Sequence, residues 1–378
     1  MTSNGIFSGS LKKQYLCNNP KIRKPIPMKK IKTALLSYGM SGKVFHAPFL
    51  ELHPGFELTG AWERSKHLIN EDFPLVKSYP TLESVLKDDV DLVIVNTPVE
   101  THFEYAQEAL LAGKHVLVEK AFTTTVAEAQ ELKAIAQEKK LRLAVFQNRR
   151  WDSDFKTVKE ILDKQLLGRL VEAEIHFDRY NPALSTKAHK EVYSAGAGIL
   201  KDLGPHIIDQ ALHLFGFPES LFADIRTTRE HSAVDDWFDI TLFYADFRVR
   251  LKSGFFVREP LPSYIFHGKK GSFIKSRGDV QEDDLKLGKK PMVTDWGIEP
   301  IYKSGVLHTE IEGSVVRENF ATLHGNYYGF FDGLYQSITK GTVEPVTAQD
   351  GIDVMRVIEG AIESSFRKAV LVFDSIDH

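Results

Sequence analysis

The chain has 378 residues, 43% of them hydrophobic, with a formal net charge of -3 and a pI near 6.5. That is chain enough for two domains with cores of their own, and the charge gives no broad footprint for nucleic acid or an anionic membrane. One cysteine, Cys17, excludes an intramolecular disulfide framework and a cysteine-based zinc site, so a reducing compartment, the cytoplasm, is expected.

Residues 1–27 carry Lys12, Lys13, Lys21, Arg23 and Lys24 among Pro20, Pro25 and Pro27, with no apolar run of signal-peptide length. They are expected to be a disordered extension, with the folded unit starting at Met28. No stretch approaches the roughly 18 apolar residues of a membrane span. The expected partner is a small molecule, not nucleic acid or membrane.

Residues 28–149 alternate short apolar runs with helical segments, the pattern of a parallel sheet covered on both faces. Strands are expected at 31–36, 56–62, 91–95, 115–118 and 141–146, and helices at 81–87, 100–112 and 126–139, the last capped from within Thr123 to Thr125. The turn after the first strand reads Ser37-Tyr38-Gly39-Met40-Ser41-Gly42, a dinucleotide fingerprint in which serine replaces the first of three glycines. Gly39 would let the backbone approach a pyrophosphate, and Gly42 would let the following helix sit close to the strand, with Met40 and Ser41 between them.

After the second strand, Glu63 is placed to accept hydrogen bonds from a free ribose 2′-hydroxyl, which favours NAD. Arg64, Ser65 and Lys66 would instead hold the 2′-phosphate of NADP, so the choice between the two cofactors stays open. Thr97, Pro98 and His102 follow the central strand at its carboxyl end, where doubly wound sheets bind ligands, and are assigned to the cofactor. The strand at 115–118 ends on Glu119 and Lys120. Together with the glycine loop it points to a nicotinamide oxidoreductase with Lys120 near cofactor and substrate.

After Trp151, strand candidates at 170–180, 220–226, 238–244, 248–257 and 263–267 follow one another with turn residues between, as in an antiparallel sheet. Helices are expected at 154–164, 201–215, 329–339 and 347–369.

Gly39-x-x-Gly42, Thr97-Pro98 followed by His102, the run from Ala112 to Lys120, and Gly198-x-x-x-Asp202-x-Gly204-x-His206 occur in the order of the Gfo/Idh/MocA oxidoreductases. The chain resembles that family over about residues 30–370, and within it the NADP-dependent scyllo-inositol dehydrogenase branch. The resemblance implies an α/β protein with an N-terminal Rossmann domain at 28–149 and a C-terminal α/β domain at 150–378. The second domain would carry a large, open, mostly antiparallel sheet, with the active site between the two.

In the family, the histidine matching His206 moves the hydroxyl proton, a role suited to a group whose ordinary pKa is about 6.5. Asp202, four residues earlier, would share a helix face with His206 and orient its imidazole, provided the helix begins near Lys201 so that Pro205 falls in the first turn. Lys120 would stabilise a developing alkoxide. The family has Glu-Lys-Pro here, commonly with a cis Lys-Pro bond, where this chain has Ala121. A trans 120–121 peptide is therefore expected. Glu119 is counted among the cofactor contacts with Lys120. Asn148, Arg149 and Arg150 follow the last Rossmann strand, and Arg150 is the substrate candidate, with an interdomain salt bridge as the competing role. Asp178, Tyr180 and Tyr327 are candidates to bind polyol hydroxyls.

Metal-ligand spacings such as H-E-x-x-H and a G-x-S-x-G nucleophile elbow are missing from the sequence, so neither a metal nor a hydrolase is expected. The expected activity is NAD(P)-dependent hydride transfer to or from a secondary hydroxyl of a cyclic polyol or sugar. A non-catalytic sugar or dinucleotide sensor and an NAD-dependent glycosidase are the alternatives. The exposed sheet face implies a homodimer or homotetramer.

Overall fold

The computed structural model describes residues 29–63, 66–185, 191–259 and 261–374. The extension at 1–27 therefore lies outside the described residues.

The first sheet contains β1 (Ile31–Leu35), β2 (Phe56–Trp62), β3 (Lys77–Tyr79), β4 (Leu92–Val95), β5 (His115–Glu119) and β6 (Leu143–Phe146). Their order is β3-β2-β1-β4-β5-β6 and every neighbouring pair is parallel. This is the Rossmann arrangement, and the strand order reverses between β1 and β4, where such sheets open a crevice for ligand. The four residues of β4, Leu-Val-Ile-Val, are all buried, as a strand covered on both faces requires. The connections carry α1 (Ala47–Leu52), α2 (Ile69–Asp72), α3 (Leu82–Lys87), α4 (His102–Leu111) and α5 (Val126–Lys139). Thr81 and Thr125 open α3 and α5 with reciprocal capping boxes.

The second half begins with α6 (Ser153–Asp163) and β7 (Leu170–His176), then α7 (Ile199–Asp202), α8 (Gly204–Phe215), β8 (Ser220–Arg226), β9 (Trp237–Phe243) and β10 (Arg248–Gly254). It continues through β11 (Tyr264–Gly268), β12 (Gly271–Lys275), α9 (Gln281–Lys286), β13 (Gly305–Ile311), β14 (Ser314–Phe320), α10 (Tyr328–Lys340), α11 (Ala348–Arg367) and β15 (Leu371–Val372). The nine strands form one sheet in the order β14-β13-β12-β11-β7-β10-β9-β8-β15, antiparallel except for the parallel β7/β10 pair.

Alternate residues of these strands, among them Ile175, Leu221, Ile240, Leu251 and Phe266, join α8 and α11 in a buried core. The opposite face carries Glu174, Phe222, Asp239, Thr241 and Arg250 around a shallow depression.

The chain returns to the first domain late. Tyr327, Phe330, Phe331 and Tyr335 sit in the core of the parallel sheet, with Phe331 stacked on Phe49 at 5.3 Å and Phe330 edge-on to Phe146 at 4.9 Å. Ala348 and Ile352 of α11 belong to this core, and Val354, Met355 and Ile358 of the same helix belong to the other. One helix thus stitches the two domains together.

Four expectations change. The helix read at 201–215 is two helices meeting at Leu203, because Pro205 lacks the N–H a continuous helix would use there and instead takes the start of α8. The strand read at 170–180 ends at His176, leaving an isolated bridge between Tyr180 and Phe256. The 120–121 peptide is cis, not trans. Its Ala121 side is enclosed: the Ala121 carbonyl faces His102 Nδ1 at 2.9 Å, and the Ala121 methyl is buried in the second core.

The fourth concerns Arg150, which is a structural link and not a substrate contact. Its Nε and Nη2 donate to both carboxylate oxygens of Asp209 in α8, at 2.8 and 2.7 Å, and Nη2 also reaches Asp350 in α11 at 3.0 Å. Arg150 and Asp209 are almost wholly buried, so removing Arg150 strands the Asp209 carboxylate in the interior. Arg150→Met is expected to lower unfolding free energy by about 3–5 kcal/mol in urea titration; a loss below about 1 kcal/mol would contradict this role.

Candidate active site

The carboxyl ends of β4 and β5 face the break between α7 and α8 across a cleft of about 380 Å³. On the Rossmann side it is lined by Met40, Ser41, Asn96, Thr97, Glu119 and Lys120, and on the other by Phe177, Arg179, Asp202, Leu203 and His206. The glycine loop and the expected acid–base residues therefore share one space.

The loop is built as a dinucleotide cradle. A Cβ on Gly42 would lie 2.5 Å from the Ser37 carbonyl oxygen and 3.0 Å from Asn96 Nδ2, so only glycine fits. Asn96 clamps the turn by accepting from Ser37 N–H at 3.0 Å and donating to the Ser37 carbonyl at 2.8 Å. The missing first glycine has a local effect, for Ser37 Oγ accepts the Gly39 N–H at 3.1 Å. Asn96 was not among the expected site residues, although its place directly after the all-apolar β4 marks it.

Glu63 sits at the end of β2 as expected, but both its carboxylate oxygens accept backbone N–H groups of Leu68 and Ile69, each at 3.0 Å, at the start of α2. Arg64 and Ser65 lie outside the described residues. Thr97 lines the cleft, and Pro98 lines an adjoining hollow of about 620 Å³ that shares Lys120, Arg179 and Asp202 with it. His102 is buried below both. Its ring lies between the Thr97 carbonyl and the Ala121 carbonyl, each at 2.9 Å, and because burial lowers its pKa the neutral ring donates its one N–H to one of the two. Glu119 contacts His46 Nε2 at 2.8 Å and accepts the Lys120 N–H at 3.2 Å.

Lys120 reaches across the domains. Its Nζ donates to the Asp202 carboxylate at 3.0 Å and to the Asp202 main-chain carbonyl at 2.7 Å. Gly198 makes this possible. Its φ is 98°, and a Cβ there would lie 1.9 Å from Asp235 Oδ1, whose carboxylate accepts the Leu200 N–H at 2.8 Å and so holds the first turn of α7. Asp202, the last residue of α7, is thereby presented to Lys120. The expected pairing of Asp202 with the imidazole of His206 is replaced by this ion pair, because the helix break removes the shared face on which i and i+4 residues meet.

His206 lines the cleft, and its Nδ1 is buried without a hydrogen-bond partner among the described residues, so Nε2 is the nitrogen that reaches the open space. Burial, and then the positive charges of Lys120, Arg149, Arg277 and Arg179, hold the imidazole well below its ordinary pKa. It is therefore neutral at neutral pH and ready to accept a proton, whereas its ordinary pKa alone would leave it poised between both forms.

Three substrate candidates stand outside the cleft. Asp178 is buried against His176 Nδ1 at 3.3 Å, an arrangement its alternation along β7 and beyond explains. Tyr180 is exposed, with the Arg258 guanidinium 3.9 Å from its ring centroid. Tyr327 is wholly buried and its hydroxyl donates to Asp152 at 2.8 Å and accepts from Arg149 at 3.1 Å. A buried tyrosine body with a satisfied hydroxyl is a core residue, not a ligand contact. Of Arg149 and Arg150, it is Arg149 that lines the cleft; it also pairs with Glu282 of α9. Among the described residues no three His, Cys, Asp or Glu side chains are grouped to hold a metal ion.

A Rossmann domain whose glycine loop faces a lysine–aspartate pair and a neutral histidine from a second, open-sheet domain defines a two-domain nicotinamide oxidoreductase. The chain belongs to the Gfo/Idh/MocA oxidoreductase family: the family's NAD-binding Rossmann fold matches residues 31–147 and its C-terminal alpha/beta domain matches residues 159–372. It is 38% identical over 346 residues to scyllo-inositol 2-dehydrogenase (NADP(+)) IolW of Bacillus subtilis, covering 91% of this chain and 96% of that one. It is also 38% identical over 343 residues to the uncharacterized oxidoreductase YdgJ of Escherichia coli, covering 90% and 98%. Among solved structures, yvaA from Bacillus subtilis superposes with a TM-score of 0.88 at 36% identity, covering 92% of this chain and 99% of that one. An oxidoreductase from Bacillus cereus superposes with a TM-score of 0.85 at 30% identity, covering 92% and 100%. This protein is accordingly an NAD(P)-dependent oxidoreductase.

The pH dependence of alcohol oxidation tests the state of His206. A lowered pKa keeps the proton-accepting form populated as pH falls past about 6.5, so kcat/KM should stay level there and decline only at more acidic pH. A half-maximal point at or above about 6.5 would contradict the environment described.

Proposed function

We propose that the protein interconverts a secondary hydroxyl of a cyclic polyol or sugar, inositol-like in character, with the corresponding ketone, using NAD or NADP. The observation that carries this reading is the placement of Lys120, Asp202 and His206 in one cleft with the glycine loop. The name of the Bacillus subtilis relative, a scyllo-inositol 2-dehydrogenase, makes inositols the first substrates to assay.

When bound, the nicotinamide supplies the acceptor or donor of the hydride. The residues of this chain do the rest. Met40, Ser41 and Thr97 line the floor on which the cofactor is bound, with Gly42 and Asn96 fixing the turn. In the oxidising direction His206 Nε2 takes the hydroxyl proton as the C–H bond yields its hydride. The Lys120 ammonium stabilises the oxygen while it carries developing charge. Asp202 holds the ammonium in place through its carboxylate and its carbonyl. In the reducing direction the same imidazole, now charged, returns the proton.

The adjoining hollow offers hydrogen-bonding groups such as Asn181, Ser194 and Glu100, which suit the remaining hydroxyls of a polyol. Glu63 is engaged by the start of α2.

No helix among the described residues is long and apolar enough to cross a membrane, and a cytoplasmic location is part of this reading. So is a homodimer or homotetramer in which the open sheet face around Phe222 and Thr241 is covered by a second copy.

The direct test is His206→Ala. Turnover of an inositol panel should fall by at least about a hundredfold while the NAD(P)H dissociation constant, read by fluorescence titration, stays within about twofold. Retained turnover would contradict the assignment.

A further inference from the structure

The cofactor cleft contains a cation that comes from the far end of the chain. Lys286, the last residue of α9, lines the same cleft as Met40 and Ser41 of the glycine loop. The helix that carries it is firmly seated. Gln281 Nε2 donates to the Trp151 carbonyl at 3.1 Å, and Gln281 Oε1 accepts from Trp296 Nε1 at 3.1 Å and from the Tyr327 N–H at 2.9 Å. Leu285 is buried in the core of the Rossmann domain. Glu282 pairs with Arg149 on one side and Lys286 on the other. Burial opposes the charge on Glu282, but these two cations outweigh it and hold its carboxyl down at about 2.

Two features of the glycine loop explain what such a cation would do. Ser37 Oγ already occupies the Gly39 N–H, one of the donors that a glycine-rich loop turns toward a pyrophosphate. The lysine nearest in sequence, Lys43, pairs with Asp72 at 2.7 Å and does not line the cleft, whereas Lys286, itself paired with Glu282, does. The Rossmann domain alone thus offers a phosphate one donor fewer than the fingerprint promises, and its local lysine stands outside the cleft.

We propose that Lys286 is a cofactor-binding residue, contributed by the second domain, whose ammonium neutralises the pyrophosphate of the dinucleotide. The Arg149–Glu282–Lys286 chain sets its position. The inference rests on NAD(P) binding by the loop and concerns the pyrophosphate, which both cofactors share, not the 2′-phosphate.

The test is Lys286→Gln in the full chain, with NADH and NADPH binding followed by fluorescence titration over a range of salt concentrations. Both dissociation constants should rise about tenfold or more, in equal proportion, and their salt dependence should weaken. Ser37→Gly, which frees the Gly39 N–H, should recover part of the loss when combined with Lys286→Gln. An unchanged dissociation constant in a variant with an unchanged melting temperature would overturn the proposal. So would a rise confined to NADPH, which would assign Lys286 to the 2′-phosphate. Failure of the unmodified protein to bind either cofactor would instead overturn the reading of the glycine loop itself.

Discussion

The ion pair between Lys120 and Asp202 is the contact on which the site depends. It joins the carboxyl end of a parallel strand in one domain to the last residue of a short helix in the other, and both ends are fixed by features whose purpose is otherwise obscure. On one side the buried His102 ring is packed between the backbone carbonyls of Thr97 and Ala121. On the other, Gly198 lets Asp235 close on the first turn of α7. An ammonium held by both a carboxylate and a carbonyl is pre-organised: it need not reorganise when an oxygen beside it gains charge.

The environment of His206 follows from the same arrangement. Asp202 pairs with Lys120, and the imidazole, held below its ordinary pKa first by burial, also feels the cations Lys120, Arg149, Arg277 and Arg179. A helix broken at Leu203 thereby separates two functions that an unbroken helix would have merged. In the mechanism we propose, the aspartate positions the ammonium and the neutral histidine receives the proton.

Much of the fold is legible in the sequence. The β strands of the first domain follow from apolar runs that parallel strands need on both faces, and Lys120, Asp202 and His206 follow from motif register. The limits are physical. The helix pairing of Asp202 with His206 assumed continuity through Pro205, whose position as second residue of α8 shows that a new helix starts there. Arg150 and Tyr327 have the polar chemistry of ligand contacts, yet both are satisfied in the interior, and only three-dimensional packing tells the two apart. The edge strand β14 is largely exposed and so lacks a hydrophobic alternation to reveal it. The segment Gln281–Lys286 receives no assignment from its sequence. Leu285 and Gln281 dock α9 beside Arg149, a contact between residues more than a hundred positions apart.

A double-mutant cycle on turnover probes the ion pair most directly, using Lys120→Met, Asp202→Asn and the two combined. If Asp202 acts by holding the Lys120 ammonium, losing either should remove most of what the pair contributes, and the double variant should be no slower than the slower single by more than about threefold. Independent losses that multiply in the double variant would show that the two residues act separately, contradicting the account.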